Sequence, residues 1–138
     1  MNEPKIYRGE YIGEGTTIGE GTKIGSGHDI GKNVKIGKNC NIQCHVSISD
    51  GCIIGDHVFI GPGVSFFNDK YMDKNITPSK VENHVKIGGH SSIGAGVVLG
   101  FNCRVGQHSN VVCDVAPNSW VYGNPAKRRD VNEPSATI

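Results

Sequence analysis

An aliphatic residue recurs every six positions along most of the chain, and this interval restricts the fold more than any other feature. The series runs through Ile60, stops, and resumes at Val81. A helix buries residues spaced three and four apart, so an interval of six excludes a helical pattern. Glycine follows the aliphatic residue in most repeats, and a small, β-branched or thiol side chain comes four residues after it. The aliphatic positions are Ile6, Ile12, Ile18, Ile24, Ile30, Ile36, Ile42, Ile48, Ile54, Ile60, Val81, Ile87, Ile93, Leu99, Val105 and Val111.

The third residue after each aliphatic position is Gly, Asn, Asp or His. These residue types tolerate a positive backbone φ best. We therefore predict one left-handed turn residue in every repeat, with short strands between turns whose side chains alternate between inside and outside. The predicted left-handed residues are Gly15, Gly21, Gly27, Asn33, Asn39, His45, Gly51, His57, Gly63, His84, His90, Gly96, Asn102, His108 and Asp114.

The composition agrees with a thin, repetitive architecture. The 138 residues include 20 glycines and only 7% aromatic residues, so tight backbone positions are many and large core side chains are few. Strands this short bury their inner faces only when successive coils stack into a solenoid. The sequence predicts a single-domain, all-β solenoid.

The Ile-Gly series from Ile12-Gly13 to Ile36-Gly37 resembles the hexapeptide-repeat transferases. The resemblance covers roughly residues 6–127 and includes the closing Gly-x-Pro-Ala-Lys run at 123–127. It implies a left-handed parallel β-helix with three repeats per triangular coil. We expect this domain to occupy residues 1–127 and a polar tail to occupy residues 128–138.

The interval of six is interrupted once, and we predict an extruded loop there, at about residues 66–80. Solenoids accept insertions on their surface, and such loops often carry function. Residues 61–71 (GPGVSFFNDKY) resemble the Gly-Pro-x-x-x-Phe-Thr-Asn-Asp-x-Tyr run of bacterial nucleotide-sugar N-acetyltransferases, with Phe67 in place of the Thr. By this resemblance Asn68 contacts the acceptor amine, and Phe67, Asp69 and Tyr71 are substrate-binding residues. The run then departs from the family, because Met72-Asp73 follows where the family has Pro-Arg.

The loop also bears on the nucleophile. Sugar O-acetyltransferases of this fold place a catalytic histidine in the corresponding loop, because a hydroxyl needs a general base. No histidine lies between His57 and His84. An amine is a competent nucleophile once it has lost its proton, so N-acetylation is favoured. His84 is the nearest candidate base, although its left-handed turn position gives it a structural role as well. O-acetyl transfer and a non-catalytic binding or scaffold protein are the alternatives.

The resemblance further implies acetyl-CoA as the donor, bound in the groove between two solenoids of a homotrimer. Matching positions for the pantetheine arm are Gly89, Gln107 and Val112, and the basic residues near the phosphates are Lys127 and Arg128. A single thin solenoid buries little core per residue, which also favours association.

Other functional classes are disfavoured. The net charge of +1 gives no basic stripe for nucleic acid, and no apolar run has membrane-spanning length. We expect a cytoplasmic protein that binds no metal, because five of the six histidines occupy turn positions and the five cysteines lack metal-ligand spacing. Cys40, Cys52 and Cys103 are predicted core thiols, and His28 is predicted to be buried within its coil.

Overall fold

The computed structural model describes residues 3–9 and 11–129. Within them the chain forms short strands and no helix, so no helix there could cross a membrane. The strands are β1 Lys5–Ile6, β2 Tyr11–Ile12, β3 Thr17–Ile18, β4 Lys23–Ile24, β5 Asp29–Ile30, β6 Lys35–Ile36, β7 Asn41–Ile42, β8 Ser47–Ile48, β9 Ile53–Ile54, β10 Phe59–Ile60, β11 Ser65–Phe66, β12 Lys80–Val81, β13 Lys86–Ile87, β14 Ser92–Ile93, β15 Val98–Leu99, β16 Arg104–Val105, β17 Asn110–Val111, β18 Trp120–Gly123 and β19 Ala126–Arg128.

The strands assemble into three sheets, and every third strand joins the same sheet. Sheet A has the order β1-β4-β7-β10-β13-β16-β18-β19, sheet B has β17-β14-β11-β8-β5-β2, and sheet C has β15-β12-β9-β6-β3. All pairings are parallel except that of β18 with β19, and register is kept between equivalent repeats, as in Ile6 opposite Ile24. The protein is a parallel β-helix of hexapeptide repeats. We call the outer surfaces of the three sheets face A, face B and face C, and the edges between them AB, BC and CA.

The interior is a single column of aliphatic and small side chains. The aliphatic position of each repeat alternates with the small position, and both point inward because their separation by two residues places them on one side of a strand. Ile24, Ile60 and Ile87 have no exposed surface, and Cys52 and Cys103 fill small positions with 0% exposure. This column confirms the predicted core, including its buried thiols.

The corners of the coils confirm the predicted left-handed residues, with one exception. Fourteen of the fifteen predicted residues have positive φ, among them His84 at 62° and Asn33 at 55°. Asp114 is the exception, because it is not among the residues with positive φ. The repeat changes there: the Asp114 carboxylate accepts a 2.9 Å hydrogen bond from the amide of Val98, and the next left-handed residue is Asn118.

The two ends of the solenoid differ. At the N-terminal end the aliphatic residues Ile6 and Ile12 are 43% and 36% exposed, and His28 is buried with its Nδ1 3.0 Å from the carbonyl oxygen of Gly25. At the C-terminal end β18 and β19 form an antiparallel hairpin. Arg128 belongs to this hairpin and not to a tail, and the expected tail at 130–138 lies outside the described residues.

The extruded loop spans residues 67–79, one residue shorter at each end than expected. Phe66 stands six residues after Ile60 and takes the inward aliphatic position, where it is 2% exposed and pairs with Ile93. Lys80 pairs with Ile53 and Val98 in sheet C. The loop therefore connects β11 to β12 across edge BC, in the middle of the solenoid.

Candidate functional site

The base of the loop is closed by hydrogen bonds between its two ends. The amide of Thr77 donates to the carbonyl of Asn68 at 2.7 Å. Ser79 is 2% exposed, and its hydroxyl lies 3.3 Å from the carbonyl oxygen of Phe67 and 2.9 Å from that of Gly94 in the next coil. These contacts fix the backbone on both sides of Asn68.

The tip of the loop is organised by one carboxylate. The two oxygens of Asp69 accept hydrogen bonds from the amides of Asp73 at 3.1 Å and Lys74 at 2.9 Å. Met72 and Lys74 have positive φ values of 57° and 70°, so the chain turns sharply there. Asp69 was expected to bind substrate, and in this structure its carboxylate holds the tip. Tyr71, also an expected substrate contact, is 69% exposed with the Lys70 ammonium 5.4 Å from its ring centre.

Two glycines make room for the returning arm of the loop. Gly51 in the preceding coil and Gly96 in the following coil both have positive φ, of 81° and 71°. A Cβ atom at Gly96 would lie 2.9 Å from Cγ2 of Thr77, and one at Gly51 would lie 2.8 Å from Cγ of Pro78. The loop thus packs against edge BC where these two corners lack side chains.

Asn68 opens onto a groove of about 340 Å³ on face B, which we call the face B groove. Its side-chain nitrogen donates to the carbonyl of Asp50 at 3.2 Å, and the Asp50 carboxylate accepts from the amide of Lys32 at 2.8 Å. The groove contains two carboxylates and no Lys or Arg side chain. Its lining residues are Tyr11, Asp29, Gly31, Ser47, Ile48, Ser49, Asp50 and Asn68.

The other expected substrate residue, Phe67, begins the loop and is 50% exposed. Its amide donates a 2.9 Å hydrogen bond to the carbonyl of Ile93. Its backbone therefore continues the hydrogen-bond ladder of sheet B, while its ring faces outward. Phe67, Asn68, Asp69 and Tyr71 are consecutive or nearly so, and the structure presents them together at edge BC.

His84 lies elsewhere, at edge CA. Its amide donates to the carbonyl of Asp56 at 2.9 Å, and its ring stacks on that of His57 with 4.9 Å between centroids. Phe101 meets the same ring edge-on at 5.6 Å. Within one chain, the structure therefore does not bring His84 and Asn68 to the same edge.

The expected donor-binding residues fall into two groups. Gly89 and Gln107 lie at edge AB in successive coils. The amide of His108 donates to the carbonyl of Gly89 at 2.9 Å. Gln107 lines a groove of about 170 Å³ that also includes Phe59, Lys86, Ile87, Gly88, Arg104 and Val105, which we call the C-terminal face A groove.

The second group lies at the C-terminal end of the solenoid. Val112 follows β17 and is 47% exposed. Lys127 is paired with Tyr122 in the closing hairpin, and Arg128 lines a groove of about 290 Å³ beside Cys113. Lys127 and Arg128 belong to β19 of sheet A, whereas Val112 follows β17 of sheet B, so the expected donor-binding residues do not all lie on one surface of one chain.

Sequence reasoning missed several residues of these surfaces. The guanidinium of Arg104 lies 5.0 Å from the ring centre of Trp120, and that of Arg129 lies 4.6 Å from the ring of Tyr122. Each is within the range of a cation–π contact. The contact between Arg104 and Trp120 depends on the register of sheet A. This register places the two residues directly opposite each other, although sixteen positions separate them in the sequence.

The buried thiols have low reactivity. Burial raises the pKa of the Cys40 and Cys52 thiols, and it raises the pKa of Cys103 to about 12. A thiol reacts as its thiolate, so these three side chains are poor nucleophiles near neutral pH. Among residues 3–9 and 11–129, no three His, Cys, Asp or Glu side chains are grouped in a way that could hold a metal ion.

Comparison with known proteins places this geometry in a family. The family of bacterial transferase hexapeptide repeats matches residues 15–50 and 33–68. A hexapeptide-repeat acetyltransferase from Vibrio cholerae, solved with acetyl coenzyme A, superposes with a TM-score of 0.68 and 30% identity over 88% of this chain and 71% of that one. A comparison with curated protein sequences found no match.

Two more distant structures share the fold. The acetyltransferase domain of PglB from Neisseria gonorrhoeae, solved with acetyl coenzyme A, has a TM-score of 0.70 at 17% identity, over 92% of this chain and 55% of that one. A single-residue mutant of AntD, an N-acyltransferase from Bacillus cereus, solved with dTDP-4-amino-4,6-dideoxyglucose and coenzyme A, has a TM-score of 0.68 at 19% identity, over 92% of this chain and 76% of that one. The sequence repeats, the parallel β-helix and the Vibrio cholerae relative agree, and the chain belongs to the hexapeptide-repeat acyltransferases.

Proposed function

We propose that this protein transfers an acetyl group from acetyl-CoA to the amino group of a nucleotide-linked amino-deoxy sugar, with UDP or dTDP as the nucleotide. The setting would be the synthesis of surface-glycan precursors in the cytoplasm. The working form would be a homotrimer with active sites between subunits. The relatives solved with acetyl coenzyme A and, for AntD, with a dTDP-linked amino sugar support this choice of ligands.

The observation that carries the proposal is the position of Asn68 in the face B groove. Its carbonyl is tied to Thr77 and its side-chain nitrogen is held by the Asp50 carbonyl, so the amide is fixed where the loop meets the groove. The Asp50 carboxylate lies beside it. An anionic wall favours an acceptor that arrives as an ammonium ion over a neutral hydroxyl.

In the reaction, the acceptor amine first gives its extra proton to solvent or to a nearby carboxylate. The neutral nitrogen attacks the thioester carbonyl, and a tetrahedral oxyanion forms that backbone N–H groups can stabilise. The carbon–sulfur bond then breaks, and the CoA thiolate takes up the proton that the nitrogen loses. Asn68 contributes by orienting the amine, and no histidine of the loop is needed as a base.

The donor would enter from the C-terminal half of the solenoid. Gly89 and Gln107 would accommodate the pantetheine arm beside the C-terminal face A groove, and Lys127 and Arg128 would lie near the phosphates. Lys86 and Arg104 add two cations to that surface, which suits a ligand with three phosphate groups.

A coupled assay tests the proposal. Acetyl-CoA should be consumed in the presence of a UDP- or dTDP-linked amino sugar, and Asn68→Ala should lower turnover far more than it lowers acetyl-CoA affinity measured by calorimetry. Asn75→Ala, in the same loop, is the matched control and should retain turnover.

The alternatives give different results in the same assay. A hydroxyl sugar acetylated as fast as its amino counterpart would identify an O-acetyltransferase. Failure to bind acetyl-CoA would indicate a binding or scaffold protein.

A further inference from the structure

A second groove on face A, of about 460 Å³, takes no part in the acetyl transfer described above, and we call it the N-terminal face A groove. It crosses the first three strands of sheet A, which are β1, β4 and β7. None of its lining residues is Asp or Glu, whereas the face B groove contains two carboxylates. Its lining includes Tyr7, Lys23, Gly25, Asn41 and Gln43. The charge of this groove therefore suits an anionic ligand.

Gln43 projects from edge AB between two glycines. The residue that follows the buried aliphatic residue of sheet A is Gly25 one coil before Gln43 and Gly61 one coil after it. A Cβ atom at Gly25 would lie 2.7 Å from the backbone nitrogen of Cys44, so this corner has no room for a side chain. Strands of neighbouring coils lie about 4.8 Å apart, which places the backbones of Tyr7 and Gln43 roughly 10 Å apart on either side of Gly25. The space above Gly25 has a flat backbone floor and admits a planar ring.

Asn41 and Gln43, which we call the amide pair, hold each other in position. The side-chain nitrogen of Gln43 donates a 2.8 Å hydrogen bond to the side-chain oxygen of Asn41. Within the described residues these two side chains make no other hydrogen bond, so Asn41 keeps an N–H donor and Gln43 keeps a carbonyl acceptor. Reversing both amides leaves one donor and one acceptor as well. The amide pair thus presents a donor beside an acceptor in the groove.

This arrangement is complementary to one edge of a pyrimidine-2,4-dione. Uracil and thymine carry an N3–H donor between two carbonyl oxygens, so Gln43 can accept from N3 while Asn41 donates to a ring carbonyl. Proteins read unpaired bases by hydrogen bonds to this edge and by contact with an aromatic side chain. Tyr7, which is 51% exposed, supplies an aromatic ring on the other side of Gly25.

Two lysines continue from the amide pair towards the N-terminal end of the solenoid. Sheet A places Lys5 opposite Lys23 and Lys23 opposite Asn41, so the three outward side chains form one row. The Lys5 ammonium also lies 5.7 Å from the ring centre of Tyr7. Ammonium groups bind phosphate oxygens through charge-assisted hydrogen bonds. The row therefore provides a diphosphate site next to the site for the base.

We propose that the N-terminal face A groove binds a uridine or thymidine diphosphate, with the base on the amide pair and the diphosphate on Lys5 and Lys23. Its identity as the nucleotide part of the acceptor rests on the proposed function. Because Asn68 lies on face B, the base and the amine would then contact different chains of the proposed homotrimer. Binding of the nucleotide alone needs only the residues of this groove.

Isothermal titration calorimetry with UDP and dTDP tests the site without any assay of activity. At least one of the two should bind, and the tighter ligand identifies the nucleotide. The N3-methylated form of that nucleotide should bind about fivefold or more weakly, because the Gln43 carbonyl loses the hydrogen that it accepts. This comparison uses the unaltered protein, so it does not depend on the folding of any variant.

Substitutions test the individual residues. Gln43→Gly introduces the residue found in the coils on both sides, and Asn41→Ser introduces the residue found at the outward position of β8 and β14. Each should weaken nucleotide binding about fivefold and leave the affinity for inorganic pyrophosphate unchanged. Lys23→Gln should weaken the binding of both ligands about tenfold. Lys35→Gln, on face C, is the matched control and should bind both ligands normally.

Circular dichroism reports whether each variant keeps the β-helix. Failure of both nucleotides to bind, equal affinity for the N3-methylated form, or unchanged affinity in both Gln43→Gly and Asn41→Ser would overturn the proposal. An equal loss in Lys35→Gln and Lys23→Gln would overturn the assignment of the diphosphate to face A. If the groove binds the nucleotide but no amino sugar is acetylated, this site stands and the proposed function fails. If an amino sugar is acetylated while the groove variants bind the nucleotide normally, the proposed function stands and this site fails.

Discussion

The amide of Thr77 donates a 2.7 Å hydrogen bond to the carbonyl of Asn68, so the outgoing and returning arms of the loop are joined directly behind the side chain that we assign to the acceptor amine. The position of Asn68 therefore depends on the returning arm, which itself rests on Ser79 and on the corners at Gly51 and Gly96. Residues outside the loop tip should control turnover through this arm.

Ser79→Ala should reduce turnover roughly tenfold or more, because a small displacement of a positioning group has a large effect on rate. It should also lower the free energy of unfolding by about 1 kcal/mol. Ser91→Ala is the control, since Ser91 occupies the same inward small position two repeats further along the chain and its hydroxyl donates to the carbonyl of Gly106, away from the loop. Steady-state kinetics and urea unfolding distinguish the two: equal turnover in both variants would contradict a role for Ser79 in placing Asn68.

Gly96→Ala should raise KM for the acceptor, because the new Cβ would press on Thr77. Gly15→Ala is matched to it, since Gly15 also has a positive φ, of 81°, but a new Cβ there would press on the side chain of Asn33, away from the loop. Both variants place an alanine in the left-handed region, which costs about 1–2 kcal/mol, so the midpoint temperature of thermal unfolding should fall in both. An unchanged KM in Gly96→Ala would show that the arm is not coupled to the acceptor site.

His84→Asn should change turnover less than about tenfold, because a general base contributes roughly 10²–10⁴-fold and His84 is not at the edge that carries Asn68. Asparagine tolerates the φ of 62° at this corner, so the fold should persist. The pH–rate profile should follow the deprotonated fraction of the substrate's own amine in both proteins. A loss of several hundredfold with normal acetyl-CoA affinity, and no comparable loss in His57→Asn, would instead make His84 the base.

Alkaline pH should destabilise the protein through its buried thiols. The pKa of Cys103 is about 12 in the folded chain against 9.0 when unperturbed, so between these values the folded state keeps a proton that the unfolded state releases. This contribution of Cys103 to stability is fully present below pH 9 and is lost as the pH rises towards 12, by up to about 1.4 kcal/mol per pH unit. Urea midpoints at pH 8 and pH 10 measure the loss, and Cys103→Ala should show a shallower dependence on pH.

The same residues predict which thiols react. At pH 8 an alkylating reagent should label the exposed Cys113 and the half-buried Cys44 in the native protein. Cys40, Cys52 and Cys103 should be labelled only after unfolding, which peptide mass spectrometry can establish. Labelling of Cys103 in the native state would show that the coil around it opens.

Much of the fold was predictable because the residue types within each repeat determine where its strand and its left-handed corner lie. His45, His57 and His90 could be assigned to left-handed corners from spacing alone, and all three have positive φ. Asp114 could not, because a side-chain hydrogen bond to the Val98 amide replaces the usual corner there. The loop ends were misjudged by one residue because Phe66, although aromatic, fits the inward position that aliphatic residues occupy elsewhere.

The candidate site was less predictable, because it depends on which residues from different coils lie together at one face or edge of the solenoid. Spacing identified Asn68 and its neighbours as one segment, but the grooves on faces A and B combine residues from several coils. Ser79 could have been found, since it stands two residues before Val81 in the inward small position. The longer contact of its hydroxyl, 3.3 Å from the carbonyl oxygen of Phe67, follows only from the path of the returning arm.

Placing the loop midway along the solenoid has a consequence for local opening. In stacked-repeat proteins each coil is held mainly by its neighbours, so fraying begins at the two ends and moves inward. The first coil, with Ile6 and Ile12 partly exposed, should therefore exchange its amide hydrogens quickly. The coil that carries the loop has three complete coils on its N-terminal side and further coils followed by the hairpin on the other. The loop is thus anchored on the coil that we expect to open least, and fraying confined to either end of the solenoid leaves that anchor in place.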